Sequence, residues 1–128
     1  MAQRIERFEV LAAAGVPFAT PTGFVLNFPD AIVTAIAVRI PRGHARLTGI
    51  QIFYGGVQIV PKTVGVFLRG SPLYRRYEVD DLPTGTAWSG VYANTDTIAH
   101  RFQIDFELDE LLGGAELYPE LLLLPYQL

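Results

Sequence analysis

Two histidines are the residues of this sequence best suited to acid–base chemistry. His44 and His100 are its only imidazoles, and Ser71 and Ser89 are its only serines. A serine nucleophile is usually marked by a motif such as G-x-S-x-G, and the chain contains none. We therefore expect a loop histidine and a strand-end histidine held by their neighbours, and we predict no catalytic residue.

Three carboxylates, Asp105, Glu107 and Asp109, alternate along one strand-like run. Residues at i, i+2 and i+4 of a strand share a face. Such a trio could bind a hard cation such as Ca²⁺ or, with a histidine, cleave a sugar as the paired carboxylates of glycosidases do. No D-x-D-x-D-G loop accompanies it. A solvated acidic face is the favoured interpretation, with no metal and no cofactor, and a small hydrolase is a third hypothesis.

Two further groups of residues invite a binding interpretation. Arg75 and Arg76 are adjacent, so in a strand they point to opposite faces and make no phosphate site. They are expected to pair with carboxylates instead. Trp88, Tyr92 and Tyr54 could form a platform on which a carbohydrate ring stacks, although core packing is the commoner use of such residues in a sandwich.

The composition excludes several classes of protein. A net charge of −3 gives no basic surface for nucleic acid. The chain has no cysteine, no apolar run near the roughly 20 residues that span a bilayer, and no signal peptide within Met1–Phe8. We expect a single domain with no nucleic-acid or membrane partner. Since half of the chain is hydrophobic and only 18% is charged, part of its apolar surface is expected to be buried between subunits.

Short β-rich runs punctuated by glycine and proline predict an all-β fold, a single antiparallel β-sandwich, jelly-roll-like, of about eight strands. Gly55-Gly56 between two such runs predicts a hairpin. Strict alternation over Ile98–Leu108 predicts a strand with one buried and one solvated face.

Other segments give weaker patterns. Residues 4–11 fit a helix or a strand, and a strand is preferred. The run Ile32–Ile40 is apolar on both faces, with Ile32, Ile36, Val38 and Ile40 on one and Val33, Ala35, Ala37 and Arg39 on the other. Strands are expected over Val64–Leu68 and Leu73–Val79, and a turn over Asp81–Gly85.

The pattern changes after Leu108, so we divide the chain into a sandwich domain, residues 1–108, and an irregular apolar C-terminal arm, residues 109–128. Chain ends are usually polar unless they are tied down. The arm either covers its own domain or docks on a neighbouring subunit. The residues predicted for a subunit interface are Tyr118, Leu121, Leu122, Leu123, Leu124, Pro125, Tyr126 and Leu128.

Two stretches carry a resemblance to a known group of proteins. Gly49–Pro61, with the glycine hairpin, and Trp88–Asp96, followed by a strand from His100, resemble stretches of small structural proteins of tailed bacteriophages. In that group tyrosine directly precedes Asn-Thr-Asp, whereas here Ala93 separates Tyr92 from Asn94. The resemblance covers roughly Asp30–Leu108 and leaves the arm without a counterpart. It implies a β-sandwich virion component without catalysis.

These observations lead to one expected function and one alternative. The expected function is a non-enzymatic structural component of a bacteriophage virion, a self-associating capsid decoration or minor head protein. Its partners would be copies of itself and other virion proteins, such as the major capsid protein, assembled in the host cytoplasm. The alternative is a β-sandwich carbohydrate- or receptor-binding module, tail-associated or free, that uses Trp88, Tyr92 and Tyr54.

Overall fold

The computed structural model describes residues 2–28, 30–84 and 88–110, and within them every regular element is a β-strand. No helix in this part of the chain is long and apolar enough to cross a membrane. The strands are β1 (Ala2–Ala12), β2 (Thr22–Leu26), β3 (Ala31–Ile40), β4 (Thr48–Tyr54), β5 (Val57–Val60), β6 (Leu73–Pro83), β7 (Trp88–Asn94) and β8 (His100–Glu110). The all-β prediction is confirmed.

The strands form two antiparallel sheets of four. The first sheet has the order β1-β8-β3-β6 and the second the order β2-β7-β4-β5. Within them the pairs β1·β8, β2·β7, β3·β6 and β4·β5 are nested one inside the next, as if one long hairpin had been rolled up. This is the strand order of a jelly roll. The antiparallel sandwich with jelly-roll character is therefore confirmed.

An aromatic cluster fills the space between the sheets. Phe106 of β8 packs edge-on against Trp88 of β7, with ring centroids 5.3 Å apart. Phe28 lies 4.8 Å from Phe106, and Tyr54 lies 4.8 Å from Trp88. Because these residues come from both sheets, their contacts fix the two layers against each other.

Several local predictions are confirmed. Residues 4–11 belong to strand β1, where Phe8 and Val10 pack against the core. Gly55 and Gly56 have φ values of 55° and 86° and join β4 to β5, as a turn that needs positive φ at both positions requires. The alternation of the last strand is also present, since Phe102, Ile104 and Phe106 are fully buried.

A bulge corrects the predicted faces of the apolar strand β3. The register of β3 shifts between Val33 and Ala35, where the hydroxyl of Thr34 donates to the carbonyl of Glu107 at 3.2 Å. The extra residue moves Val33 onto the core face with Ile36, and Ile32 onto the other face. An alternation rule cannot anticipate a bulge because it assumes an unbroken period of two.

The strand predicted over Val64–Leu68 is wrong. Only Leu68 makes a bridge, to Ile50 of β4. The side-chain amide of Gln58 binds the carbonyls of Pro61, Thr63 and Val66 at 2.8–3.1 Å, so this backbone folds around a side chain instead of pairing in a ladder.

The C-terminal ends of two strands, β6 and β8, also differ from the predicted ones. Strand β6 runs on to Pro83 through Asp81, which has a φ of 44°, where a turn was expected; Gly85 lies outside the described residues. Strand β8 extends to Glu110, beyond the domain boundary placed at Leu108.

Gly90 in β7 is a position where a side chain has no room. A Cβ there would lie 2.3 Å from Cζ of Phe24 and 2.7 Å from the carbonyl oxygen of Gln51. Gly90→Ala is expected to lower the free energy of unfolding by roughly 1–3 kcal/mol, because the backbone must shift. Gly23→Ala on β2 is the control, since its nearest neighbour is 3.8 Å away. Urea titration measures both, and equal effects would contradict the prediction.

Candidate functional site

The carboxylates singled out from the sequence lie on the outer face of the first sheet, where arginines bind two of them. Arg7 of β1 is directly opposite Asp105 of β8. Its Nε donates to Oδ1 at 2.8 Å and its Nη2 to Oδ2 at 3.0 Å. This two-pronged geometry is the strongest form of the arginine–carboxylate pair.

A second bidentate pair crosses the central strand. Arg76 of β6 donates to the two carboxylate oxygens of Glu107 at 2.7 and 2.8 Å, and to Glu78 at 3.2 Å. Between them β3 presents Ala35 and Ala37, whose small side chains leave space for the guanidinium to pass. The hydrogen bonds from Arg76 lower the pKa of Glu107, because they favour its charged form.

Salt bridges to arginines occupy two of the three carboxylates on which the cation and hydrolase hypotheses depend. Asp105 and Glu107 bind arginines on an open sheet face, and Asp109 shares that face at the end of β8. In the part of the chain that the structure describes, no three His, Cys, Asp or Glu side chains are grouped so that they could hold a metal ion. The expected solvated acidic face is instead half-buried and paired with arginines, and Arg76 binds carboxylates as expected.

The Arg76–Glu107 pair predicts a difference in acid sensitivity. The folded pKa of Glu107 is lowered, so its contribution to stability is present above the unfolded value of about 4.3 and is lost as the pH falls through the folded value. Arg76→Gln should reduce stability at neutral pH and flatten the acid dependence in that window. Arg75→Gln removes the same charge from the neighbouring residue on the other face and should retain the wild-type slope. Urea midpoints across pH measure this, and identical slopes for the two variants would contradict it.

The two histidines meet at the opposite end of β8 from Glu110. Their rings stack with centroids 4.5 Å apart and an angle of 36° between planes. His44 Nδ1 lies 2.6 Å from the Thr48 hydroxyl, and His100 Nε2 lies 2.8 Å from Oδ2 of Asp96. We call His44, Thr48, Asp96 and His100 the histidine cluster. Both rings are buried, with 1% of His44 and 8% of His100 exposed.

Burial, neighbouring charge and hydrogen bonding shift the pKa values of two members of the histidine cluster, His44 and Asp96. Burial, and then the charge of His100, lower the pKa of His44, while a backbone hydrogen bond with Arg101 opposes them. The hydrogen bond from His100 lowers the pKa of Asp96. An ionised carboxylate only accepts hydrogen bonds, so His100 donates through Nε2. His44 is therefore neutral at neutral pH, beside a histidine that is bound to a carboxylate.

The side chain of Asn94 forms hydrogen bonds that connect several segments at the same end of the sandwich. Its side-chain amide donates to the carbonyls of Ala12 and Ile98 at 3.0 and 2.9 Å, and its side-chain oxygen accepts from the backbone of Asp96 at 2.9 Å. Thr95 donates to the carbonyl of Leu47 at 3.0 Å. The histidine cluster thus lies within a hydrogen-bond network that joins the loops at this end.

The sequence correctly predicted that His44 lies in a loop and His100 at the start of a strand, but it did not predict that the two rings are in contact. The end of β3 leads to His44, and β8 begins at His100; these strands are neighbours in the first sheet only because of the jelly-roll crossover. A local signal did exist, since Asp96 precedes His100 by four residues, just after the Asn-Thr turn. The stacking of two distant imidazoles had no signal in the sequence.

The lowered pKa of His44 predicts destabilisation in mild acid. As the pH falls below the ordinary histidine pKa of about 6.5, His44 is protonated in the unfolded chain but stays neutral in the folded protein. The free energy of unfolding therefore decreases until the pH reaches the lower pKa of folded His44. His44→Gln should reduce the slope of unfolding free energy against pH in this window by up to about 1.4 kcal/mol per pH unit. Thr48→Val, which keeps the ring, should retain the slope. An unchanged slope in His44→Gln, followed by urea titration, would count against this account.

Of the three residues of the proposed aromatic platform, Trp88 is buried in the core, and Tyr54 and Tyr92 are half-buried. Trp88 is 1% exposed and its indole N–H donates to the carbonyl of Pro83 at 3.2 Å. Tyr54 packs on Trp88, and Tyr92 stacks on Phe24 with centroids 6.4 Å apart. The indole therefore has no face free to stack on a sugar. The predicted interface residues from Tyr118 to Leu128 lie outside the described residues.

Comparison with known proteins gives a likeness of fold. No family model matches the chain, and no curated protein matches its sequence. Among solved structures, the crystal structure of FlhE is similar, with a TM-score of 0.55 and 8% sequence identity over 86% of this chain and 100% of that chain. At this identity the likeness concerns the fold alone.

Proposed function

We propose that this protein is a structural subunit that acts by binding other protein subunits, as a self-associating component of a bacteriophage particle. The observation that carries the proposal is where the sandwich ends along the chain. Within the described residues, eight strands in two sheets are formed by Glu110. The sequence that follows contains the apolar stretch Leu121–Leu124 with Pro125 and Tyr126, which lies outside the described residues.

The chemistry of the described residues supports an assembly role. Asp105 and Glu107 bind arginines, His100 binds Asp96, and Trp88 is in the core. Each of these candidates for catalysis or sugar binding thus has a structural partner. The jelly roll supports the proposal as well, because viral capsid domains use it, although lectins and cupins share it.

The virion assignment rests on the resemblance of Gly49–Pro61 and Trp88–Asp96 to tailed-phage structural proteins. Both stretches lie in the second sheet, where β4, β5 and β7 are adjacent. Subunits placed symmetrically on a particle would convert a weak contact into a stable one, since each additional contact forms at a high effective concentration.

Deletion of residues 118–128 tests the proposal. The shortened protein should retain its β-sheet circular dichroism and become monomeric, because it keeps the eight described strands and loses the apolar segment. Sedimentation velocity of the full chain and the shortened chain measures the difference. A control chain in which Glu116→Gln and Glu120→Gln keep the segment should assemble as the full chain does. Normal assembly of the shortened chain would refute a role for the segment.

A further inference from the structure

Each sheet of the sandwich has two edge strands, and these differ in how open their edges are. β1 and β6 are the edges of the first sheet, and β2 and β5 are those of the second. An edge strand presents unpaired backbone N–H and C=O groups, to which a strand of another chain can bind. β2 has only 5 residues and β5 only 4, and such short edge strands offer little to a partner. The two long edges, β1 and β6, are the candidates.

The edge of β6 is obstructed. Lys62 donates from Nζ to the carbonyl of Glu78 at 3.4 Å, so a side chain already binds the backbone of this strand. Asp81 has a φ of 44° and Pro83 ends the strand, and neither continues a regular ladder. A lysine, a proline and an irregular backbone are devices by which edge strands avoid pairing.

The edge of β1 has none of these features. The strand runs for 11 residues, Ala2–Ala12, without a proline or a positive φ, and within the described chain it pairs with β8 alone. Phe8 and Val10 pack on the core, so the residues that alternate with them point outward, and each of these is more than half exposed. We call the outward residues the β1 stripe: Ile5, Arg7, Glu9 and Leu11.

The β1 stripe is complementary to itself. From Ile5 to Leu11 it reads apolar, positive, negative, apolar, and in reverse it reads apolar, negative, positive, apolar. When two β1 strands pair antiparallel with Phe8 opposite Phe8, Ile5 faces Leu11 and Arg7 faces Glu9, each twice. Opposite charges and apolar side chains that face each other across a strand pair are stabilising. A dimer with a two-fold axis requires such a self-complementary surface.

Other registers of the same pair are unfavourable. Side chains keep their faces only when one strand slides by an even number of residues. The next register in one direction places Arg7 opposite Arg7, and in the other direction it places Glu9 opposite Glu9. Like charges directly opposite each other destabilise a strand pair. The sequence of β1 therefore favours the register centred on Phe8.

The ion pairs within the subunit leave room for these contacts. Arg7 binds Asp105 through Nε and Nη2, and a guanidinium has five N–H donors, so Nη1 remains for a carboxylate of another chain. The Glu9 carboxylate lies 3.8 Å from Nη1 of Arg101, too far for a hydrogen bond. Glu9 of a second copy would therefore extend the charged network of the first sheet across the two-fold axis.

We propose that β1 pairs with β1 of a second copy of the chain, antiparallel and centred on Phe8, so that two four-stranded sheets join edge to edge. The inference rests on the proposed function and names one surface that self-association uses. The 11 residues of β1 are fewer than the roughly 20–30 residues a side of a standard interface. The strand pair is therefore weak alone, and it acts together with the apolar segment Leu121–Leu124, since two linked contacts reinforce each other.

Charge complementation with two full-length variants tests the proposal. Glu9→Arg places an arginine opposite Arg7 at both ends of the pair, and Arg7→Glu places a glutamate opposite Glu9. Each variant should be monomeric alone at a concentration at which the wild-type chain is assembled. Mixed in equal amounts they should assemble, because each charged contact then joins an arginine to a glutamate. Sedimentation velocity measures the masses, and urea midpoints verify that both variants are folded.

Glu78→Arg is the matched control, since it makes the same change of charge at an exposed side chain on the other edge of the first sheet. It should assemble as the wild type does, and loss of assembly would overturn the assignment to β1. Wild-type assembly of Glu9→Arg would overturn the strand pair and leave the proposed function standing, since deletion of residues 118–128 tests that separately. A mixture that stays monomeric would overturn the register centred on Phe8.

Disulfide trapping tests the same register without changing a charge. The chain has no cysteine, and opposed Cα atoms of antiparallel strands lie about 4.5–5.5 Å apart, within reach of a disulfide. Ile5→Cys mixed with Leu11→Cys should cross-link under mild oxidation, whereas neither variant should cross-link to itself. Equal cross-linking of each variant alone, or none in the mixture, would overturn the register. Cross-linking only after residues 118–128 are deleted would overturn the pair in the full chain and indicate that this segment covers its own β1.

Discussion

The structure depends on the two-residue alternation of β8, which is held between β1 and β3 in the first sheet. Its inward side chains, Phe102 through Leu108, form the centre of the core, and Phe106 contacts rings from the other sheet. Its outward side chains Asp105 and Glu107 bind Arg7 of the adjacent β1 and Arg76 of β6, which lies beyond β3. A slip of one residue would exchange these two sets, burying the carboxylates and exposing the aromatic rings. The register of this strand therefore fixes both the core and the charged face.

The ion pairs on that face depend on the small residues of β3. Ala35 and Ala37 are buried although they point away from the core, because the side chains of neighbouring strands close over them. Arg76 reaches Glu107 across this gap, and larger residues there would obstruct it. The second sheet has no comparable charge on its outer side, and loops cover only the part near Gly49. Exposed large hydrophobic side chains lie on both outer faces, with Ile5, Leu11 and Tyr74 on the first sheet and Val25 on the second, so charge and not apolar exposure distinguishes the two faces.

The ends of the sandwich differ in a similar way. At one end Asn94 and the histidine cluster join several loops through buried hydrogen bonds, which must be satisfied because an unpaired buried polar group is costly. At the other end the aromatic cluster of Trp88, Phe106 and Phe28 packs the sheets together, and the chain leaves β8. Both termini of the strand core, Ala2 and Glu110, are paired at this second end, away from the buried hydrogen bonds of the first.

The sequence by itself determined the fold class, the glycine hairpin at Gly55-Gly56 and the two faces of β8. Each follows from local rules, since strand alternation and positive φ act over a few residues. Only the tertiary structure decided the bulge at Thr34, the loop that replaces a strand over Val64–Leu68, the burial of Trp88, and the meeting of His44 with His100. These depend on which strands become neighbours. Pairing between strands distant in sequence is set by the packing of the whole jelly roll, and no segment read alone contains that information.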